Sequence, residues 1–515
     1  MNIETNSSLI LGVLLAYFLG IIALGTFYSR KAKSSKDFIL AGHSLSTPFV
    51  TASVVATWLG GAVILGGATE AFNGGLQAVI WDPFSPALTL LISGFLFVSI
   101  FRRSRFVTSI DFYNARFDKR VAMAGLIVSL FAYVSWIAAQ LLSLGVIISV
   151  VSGLETVSAT LLGALVILTI SLTGGLWALS RSDMLAFVIL TFVLLMVVPY
   201  AFDAVGGPQA FIEKAGNAKG VPPFSLFYTN EITTGGRPAG FNGYLGLLGI
   251  FYMTAAWISV ALGDLGGSVL TARALAAKNE SAAARGFVYG GFTYLALGLV
   301  PVFVGMCVFI LKADFPEVDR DDVFPWFVQS YLPEWMVVMF FLAVSSAIIS
   351  TAGDTILTAG ALIGYTTLRA VKPSTNDRQH LIATRIAMVV FAFAGLLFSL
   401  AMGDLYNLLV FAGAIAFPVL APTFISGVLW EKTNVTGAIA SIATGAVSWL
   451  VMIVVLYPYT GNEIWDAIYI ASVPAFLCSL TVIIAVSLLT QTSCPPNPIQ
   501  DVDGNKISDT KRFTW

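Results

Sequence analysis

Charge is scarce in this chain: Asp, Glu, Lys and Arg together make up 11% of its 515 residues, and the net charge is −1. That balance excludes the basic surface a nucleic-acid partner needs. Histidine occurs twice and cysteine three times, at Cys307, Cys478 and Cys494, with no metal-ligand spacing and no framework for disulfides. Redox and metal chemistry are thereby set aside, and the chain is not expected to be an enzyme. Polar stretches long enough for a sizeable soluble domain are also missing. Hydrophobic residues make up 57% of the chain and the mean hydropathy is +0.87, both outside the range of soluble domains.

Apolar runs of membrane-crossing length recur instead, each able to satisfy its own backbone as a helix. The sequence predicts an all-α polytopic membrane protein with about thirteen spans, at 8–28, 47–72, 79–101, 122–152, 156–178, 182–205, 243–270, 283–312, 333–368, 381–402, 404–430, 434–457 and 463–490. The first run follows Met-Asn-Ile-Glu and lacks a small-residue cleavage site, so it is expected to be retained. Basic residues collect at Arg30 to Lys33, Arg102 to Arg105, Arg116 to Arg120, Arg181, Arg273 to Arg285, Arg369 to Arg385, Lys432 and Lys511-Arg512. Each group follows an odd number of crossings, while the acidic loop Asp314 to Asp322 follows an even number. The positive-inside rule then puts the amino terminus outside and the carboxyl terminus in the cytoplasm, in a plasma or inner membrane. Lys214, Lys219 and Arg237 depart from the pattern, in the longer loop 206–242.

Two spans carry glycines that weaken a helix. The first is 47–72, with Gly60-Gly61 and Gly66-Gly67; the second is 243–270, with Gly263 and Gly266-Gly267. They open two five-span blocks of opposite orientation, 47–205 and 243–430, as in inverted-repeat transporters. The remaining divisions are 1–46, an extra helix and cytoplasmic loop; 206–242, an extracellular loop; 431–490, two further helices; and 491–515, a cytoplasmic tail. A break at mid-membrane exposes backbone carbonyls and amides, which is tolerable only where they line a cavity or bind an ion or solute. Close helix packing is the competing explanation for the glycines.

A second signal lies in SAIISTAGDTILTAG. Ala347, Ser350, Thr351 and Asp354 share one helical stripe, so two hydroxyls and a carboxylate face the same way. Burying a carboxylate at mid-membrane costs roughly 2.5–3.5 kcal/mol, so Asp354 is a functional candidate, and the hydroxyls suit a hard cation. The alternative is that the hydroxyls bond back to their own helix and Asp354 pairs with a basic neighbour.

ATWLGGAVILGGATEAF, TGGLWALSRSD, TARALAAKNESAAARG and SAIISTAGDTILTAG together resemble the sodium/solute symporter family, over residues 8 to 490. The resemblance implies a LeuT-like core of five plus five helices, Na+ as coupling ion and no organic cofactor. Its sodium site, carried over by position, uses carbonyls of Ala56, Leu59 and Ala347 with the hydroxyls of Ser350 and Thr351. Some family members hold a second sodium through an aspartate matching Asp183. Here the accompanying hydroxyl positions read Gly353 and Asp354, so Asp183 and Asp354 form a candidate second cation or proton site. Asp183 is also open to reading as a helix cap.

VTSIDFYNARFDKR, Trp58 and Trp136 look most like the choline transporter branch, in which tryptophans cage a quaternary ammonium. A third cage position reads Gly266-Gly267-Ser268 here, and a tyrosine position reads Pro86. Trp58, Gly60, Gly61, Trp136, Asp264 and Gly267 are the candidate solute contacts. Asp82, like Asp264, could meet a positively charged solute, but is expected in the outer interface, capping its helix. The expected activity is sodium-coupled import of a small organic solute, such as an amine or choline-like compound. Proton coupling, an amino acid, carboxylate or sugar as solute, a channel and a non-transporting sensor are the alternatives. The expected partners are the solute and membrane lipid, with no nucleic acid and no obligate protein partner.

Overall fold

The structure, a computed structural model, describes residues 7–29, 44–217, 225–230, 239–311 and 322–507. Arg30 to Lys33, the Arg181 side chain, Lys219, Arg237, Asp314 to Asp321 and Lys511-Arg512, all used to orient the chain, lie outside the described residues.

Among the described residues, nine helices are long and apolar enough to cross a membrane, and twelve spans result if each of three bent pairs counts as one. Helix Ser7–Ser29 adds a further apolar helix, docked by a 2.5 Å hydrogen bond between the Tyr17 and Ser346 hydroxyls. Every named element of the described part is a helix, and only isolated bridges, no named strand, occur among the described residues. In chain order, core helix 1 spans Thr47–Ala78 and core helix 2 Ile80–Ser104. A short helix, Ser109–Arg116, leads to core helix 3, Lys119–Ser152. Helix is continuous from Thr156 to Val205, 50 residues and twice what one crossing needs, so the predicted spans 156–178 and 182–205 join without coil as core helices 4 and 5.

Core helix 6 has two halves, Gly246–Gly263 and Ser268–Ala276. Core helices 7, 8 and 9 follow at Glu280–Ile310, Glu334–Val371 and Asp377–Met402. Core helix 10 spans Leu405–Leu429, and two further helices, Val435–Leu456 and Ile464–Leu489, complete the set.

Burial separates inner from outer helices. The apolar windows of core helices 3 and 8 are 78% and 83% buried, whereas core helix 9 and Val435–Thr460 are 28% and 22% buried. The first pair therefore forms the interior, and the second presents Ile386, Val390, Phe393, Val447 and Val454 outward, as lipid requires.

Core helix 1 bends by 61° at its break, as its glycines predict. The interruption falls at Leu59 and Gly60, after which a π-helical turn, Ala62–Gly66, restarts the helix. Gly66-Gly67, expected to loosen the same span, instead keeps helical backbone with φ near −60°, Gly66 ending the π-helical turn and Gly67 opening the α-helix. Two further bends carry no double glycine: 56° in core helix 2 near Phe97, and 54° in core helix 10 near Leu420, after Pro418. There Pro418 removes a backbone donor and kinks the helix.

Candidate functional site

The break in core helix 1 reroutes hydrogen bonds. The last regular bond runs from Leu59 N–H to the Val55 carbonyl, at 2.8 Å. In an unbroken helix Gly60 N–H would reach the Ala56 carbonyl. It donates to the Trp58 carbonyl instead, at 2.8 Å, and Gly61 N–H donates to Gln140 Oε1, at 3.1 Å. The Ala56 carbonyl is thus released from its helix, and it is met by the Thr351 hydroxyl at 3.0 Å. The same hydroxyl lies 3.0 Å from the Ala347 carbonyl.

Three of the five expected sodium ligands, Ala56, Ala347 and Thr351, are thus brought together, and these and Ser350 are at most 1% exposed. Leu59, the fifth, is the residue at which the helix stops, with φ −78° and ψ 64°. The Ser350 hydroxyl has a different partner: it donates to Asp183 Oδ1. Thr351 bonds back to its own helix, as the second reading of the stripe expects, and also reaches across to Ala56.

Asp183 and Asp354 are fully buried and share a neighbourhood, as the sequence suggests. Between them stands the guanidinium of Arg273, itself 1% exposed, in contact with Asp354 Oδ2 and 3.8 Å from Asp183 Oδ2. The Ser53 hydroxyl donates to Asp183 Oδ2 (2.5 Å) and Thr57 to Asp354 Oδ2 (2.8 Å). Asp183 is not a cap: it lies inside continuous helix.

The break in core helix 6 falls between Gly263 and Ser268, as predicted. A cavity opens beside it, lined by Asp264, Gly267, Trp58, Trp136, Tyr133 and Phe424 among others. The Tyr133 hydroxyl accepts from Ser268 N–H at 2.6 Å, which caps the inner half-helix. The Asp264 carboxylate has no hydrogen-bond or ion-pair partner among the described residues. Trp58 and Trp136 meet with ring centroids 6.1 Å apart, and the Trp136 indole N–H has no partner among the described residues. Phe424 closes one end, packing on Phe97, Phe101 and Phe112 at 5.2–5.9 Å.

Gly60 and Gly61, expected at the solute, do not line this cavity. A Cβ on Gly60 would come within 2.4 Å of Gln140 Oε1, and one on Gly61 within 2.4 Å of Ser143 Cβ and 2.6 Å of Ile348. Glycine is needed there because core helices 3 and 8 press against the break. Asp82 is likewise corrected: it is 2% exposed and accepts from Tyr294 O–H at 2.7 Å, so it is an interior group with no capping role.

Sequence reasoning missed Gln140, Ser53 and Thr57, and used Arg273 for orientation alone. Gln140 is a lone amide on an apolar helix, and Ser53 and Thr57 are one helical turn apart on core helix 1. As polar groups on apolar membrane helices they carry the same signal as Ser350 and Asp354.

Broken helices meeting at a buried set of oxygens beside an aromatic cavity define a secondary transporter. A sequence profile of the Sodium:solute symporter family matches residues 38–445, and the chain belongs to that family. The "High-affinity choline transporter 1" of Caenorhabditis elegans is 24% identical over 464 residues, covering 84% of this chain and 75% of that protein. The "Sodium/glucose cotransporter" of Vibrio parahaemolyticus is 25% identical over 478 residues, covering 86% of this chain and 84% of that one. A solved Na+-coupled sialic acid symporter superposes with a TM-score of 0.75 at 14% identity, over 93% of this chain and 98% of its own. The fold is the LeuT-like one.

Proposed function

We propose that the protein is a sodium-coupled symporter that imports a small organic cation, an amine or quaternary ammonium, by alternating access. The observation that carries the coupling is the released Ala56 carbonyl facing Thr351 at 3.0 Å. With the Leu59 and Ala347 carbonyls and the Ser350 hydroxyl, these oxygens make up a neutral donor set suited to a hard monovalent cation. Sodium bound there joins core helices 1 and 8, and its loss releases them.

The solute reading rests on the cavity. A lone carboxylate, Asp264, shares the space with tryptophan and tyrosine rings, and among the described residues no Lys, Arg, Asn or Gln lines it. A carboxylate solute would meet repulsion there, and a sugar would find few amides for its hydroxyls. An ammonium finds a counter-charge and ring faces, each ring contributing up to about 2 kcal/mol once the cation is desolvated. Of the relatives, a choline transporter fits this chemistry better than a glucose cotransporter. In the orientation given by the basic residues, with the amino terminus outside and the carboxyl terminus in the cytoplasm, each inward positive charge gains about 2.3 kcal/mol per 100 mV.

The test is uptake into proteoliposomes under an inward sodium gradient or an equal potassium gradient, with labelled amines, quaternary ammonium compounds, amino acids, sugars and carboxylates. Saturable, sodium-driven accumulation of a cationic solute is the expected result. Flux that neither saturates nor needs sodium contradicts symport. Accumulation of sugars or carboxylates alone contradicts the solute class.

A further inference from the structure

The sodium ligands sit directly above a charge cluster. Ser53 precedes Ala56 by three residues on core helix 1, and Asp354 follows Thr351 by three on core helix 8. The two helices run in opposite directions, so both residues lie one turn to the same side, the cytoplasmic side in the proposed orientation. Core helix 5 adds Asp183 and the inner half of core helix 6 adds Arg273, so four helices meet at three charged groups.

Arg273 contacts Asp354 and, through Nε, donates to Ser53 Oγ at 3.3 Å; Ser53 in turn donates to Asp183. Asp183 receives Ser350 on its other oxygen, whereas Asp354 Oδ1, fully buried, has no hydrogen-bond partner among the described residues. Among the described residues, two carboxylates against one guanidinium leave a single uncompensated negative charge. An isolated buried charge is costly without a counter-ion, and one sodium ion at Ala56 and Thr351 supplies it. The position between the carboxylates is already filled by a group that does not deprotonate.

We propose that the Arg273 guanidinium is the resident cation of the Asp183 and Asp354 pair, so that the protein carries one sodium ion per cycle and not two. This rests on the sodium site of the proposed function and specifies its stoichiometry. The resident cation is tethered to the half-helix that begins at Ser268, beside the solute break. Movement of that half-helix when solute enters or leaves therefore shifts the counter-charge of the sodium site. Arg273 is on this reading a positioning residue for ion coupling, not a solute contact.

Equilibrium binding of radioactive sodium to the purified protein tests this by counting charge. The wild type is expected to bind one ion. Arg273→Gln, with two free carboxylates, is expected to bind two, and Arg273→Lys, which keeps the cation, one. Arg273→Gln with Asp354→Asn returns the cluster to one negative charge and is expected to bind one. Asp354→Asn alone neutralises the cluster and is expected to weaken sodium binding more than tenfold. Two ions on the wild type, a folded Arg273→Gln that still binds one, or unchanged affinity in Asp354→Asn each overturn the inference while leaving symport standing. No bound sodium on the wild type at saturating concentration overturns the sodium site and this inference with it. The wild-type count and the Asp354→Asn affinity decide the matter even where Arg273→Gln does not fold.

Discussion

At the scale of single residues, chemistry is concentrated in a few polar groups set in apolar surroundings. Asp264 is one, a carboxylate in an aromatic cavity without a cation among the described residues to answer it. Asp264→Asn keeps the shape and removes the charge. Truncating one member of a buried charge pair costs about 2–5 kcal/mol, so the affinity for a cationic solute is expected to fall at least about 30-fold. Sodium binding measured without solute is expected to stay close to wild type. Unchanged solute affinity would remove Asp264 from the site. Trp136→Ala is expected to cost about 0.5–2 kcal/mol in the same assay, through loss of one ring face.

Much of this scale was legible in the sequence, because a carboxylate or hydroxyl stripe on a membrane helix stands out against an apolar background. Ser350, Thr351, Asp354 and Asp264 all announce themselves this way. The partners of those groups were not legible. Arg273 lies near the end of its helix among loop cations, and only the packing of four helices brings it to Asp183 and Asp354. Gly60 and Gly61 misled for a related reason: a break frees backbone groups in several directions, and the sequence does not say which face meets solute. The third dimension assigns them to Gln140, Ser143, Ile348 and Thr351.

At the scale of elements, the break in core helix 1 is held open by its neighbours as much as by its glycines. Gln140 of core helix 3 takes the Gly61 amide, and Thr351 of core helix 8 takes the Ala56 carbonyl. Gly61→Ala would drive a methyl into Ser143 and Ile348, and overpacking of this kind costs about 1–3 kcal/mol. A lower thermal midpoint and weaker sodium binding are expected together. Gly67→Ala is the matched control, since a Cβ there meets nothing within 4 Å and its backbone is helical. That variant is expected to be neutral or slightly stabilising in both measurements. Equal effects of the two substitutions would show that the break does not depend on close approach.

Span number and order were readable at this scale because hydropathy reports length directly. The bends in core helices 2 and 10 were not. Core helix 2 turns near Phe97 without a double glycine or proline at the bend, in a place where Phe97 and Phe101 pack against Phe424. Tertiary packing sets that bend, and periodicity carries no trace of it.

At the scale of the whole molecule, two layers of different burial do different work. Core helices 3 and 8 form the interior against which the broken helices pack, and core helix 9 with Val435–Thr460 presents most of its surface outward. The proposed sodium site spans the joint between a broken helix and this interior, so on that proposal ion binding is also a structural bond between parts. A ligand that binds only the folded state stabilises it by RT ln(1 + [L]/Kd), about 2.7 kcal/mol at a hundredfold excess over Kd.

The thermal midpoint of the purified protein, titrated with sodium chloride at constant ionic strength against potassium chloride, reads that bond without needing to know the solute. A saturable rise specific to sodium is expected for the wild type, and its loss in Thr351→Ala with Ser350→Ala. A midpoint indifferent to sodium, or a rise that survives in the double substitution, would contradict a cation held between the released carbonyl of Ala56 and the hydroxyls of core helix 8.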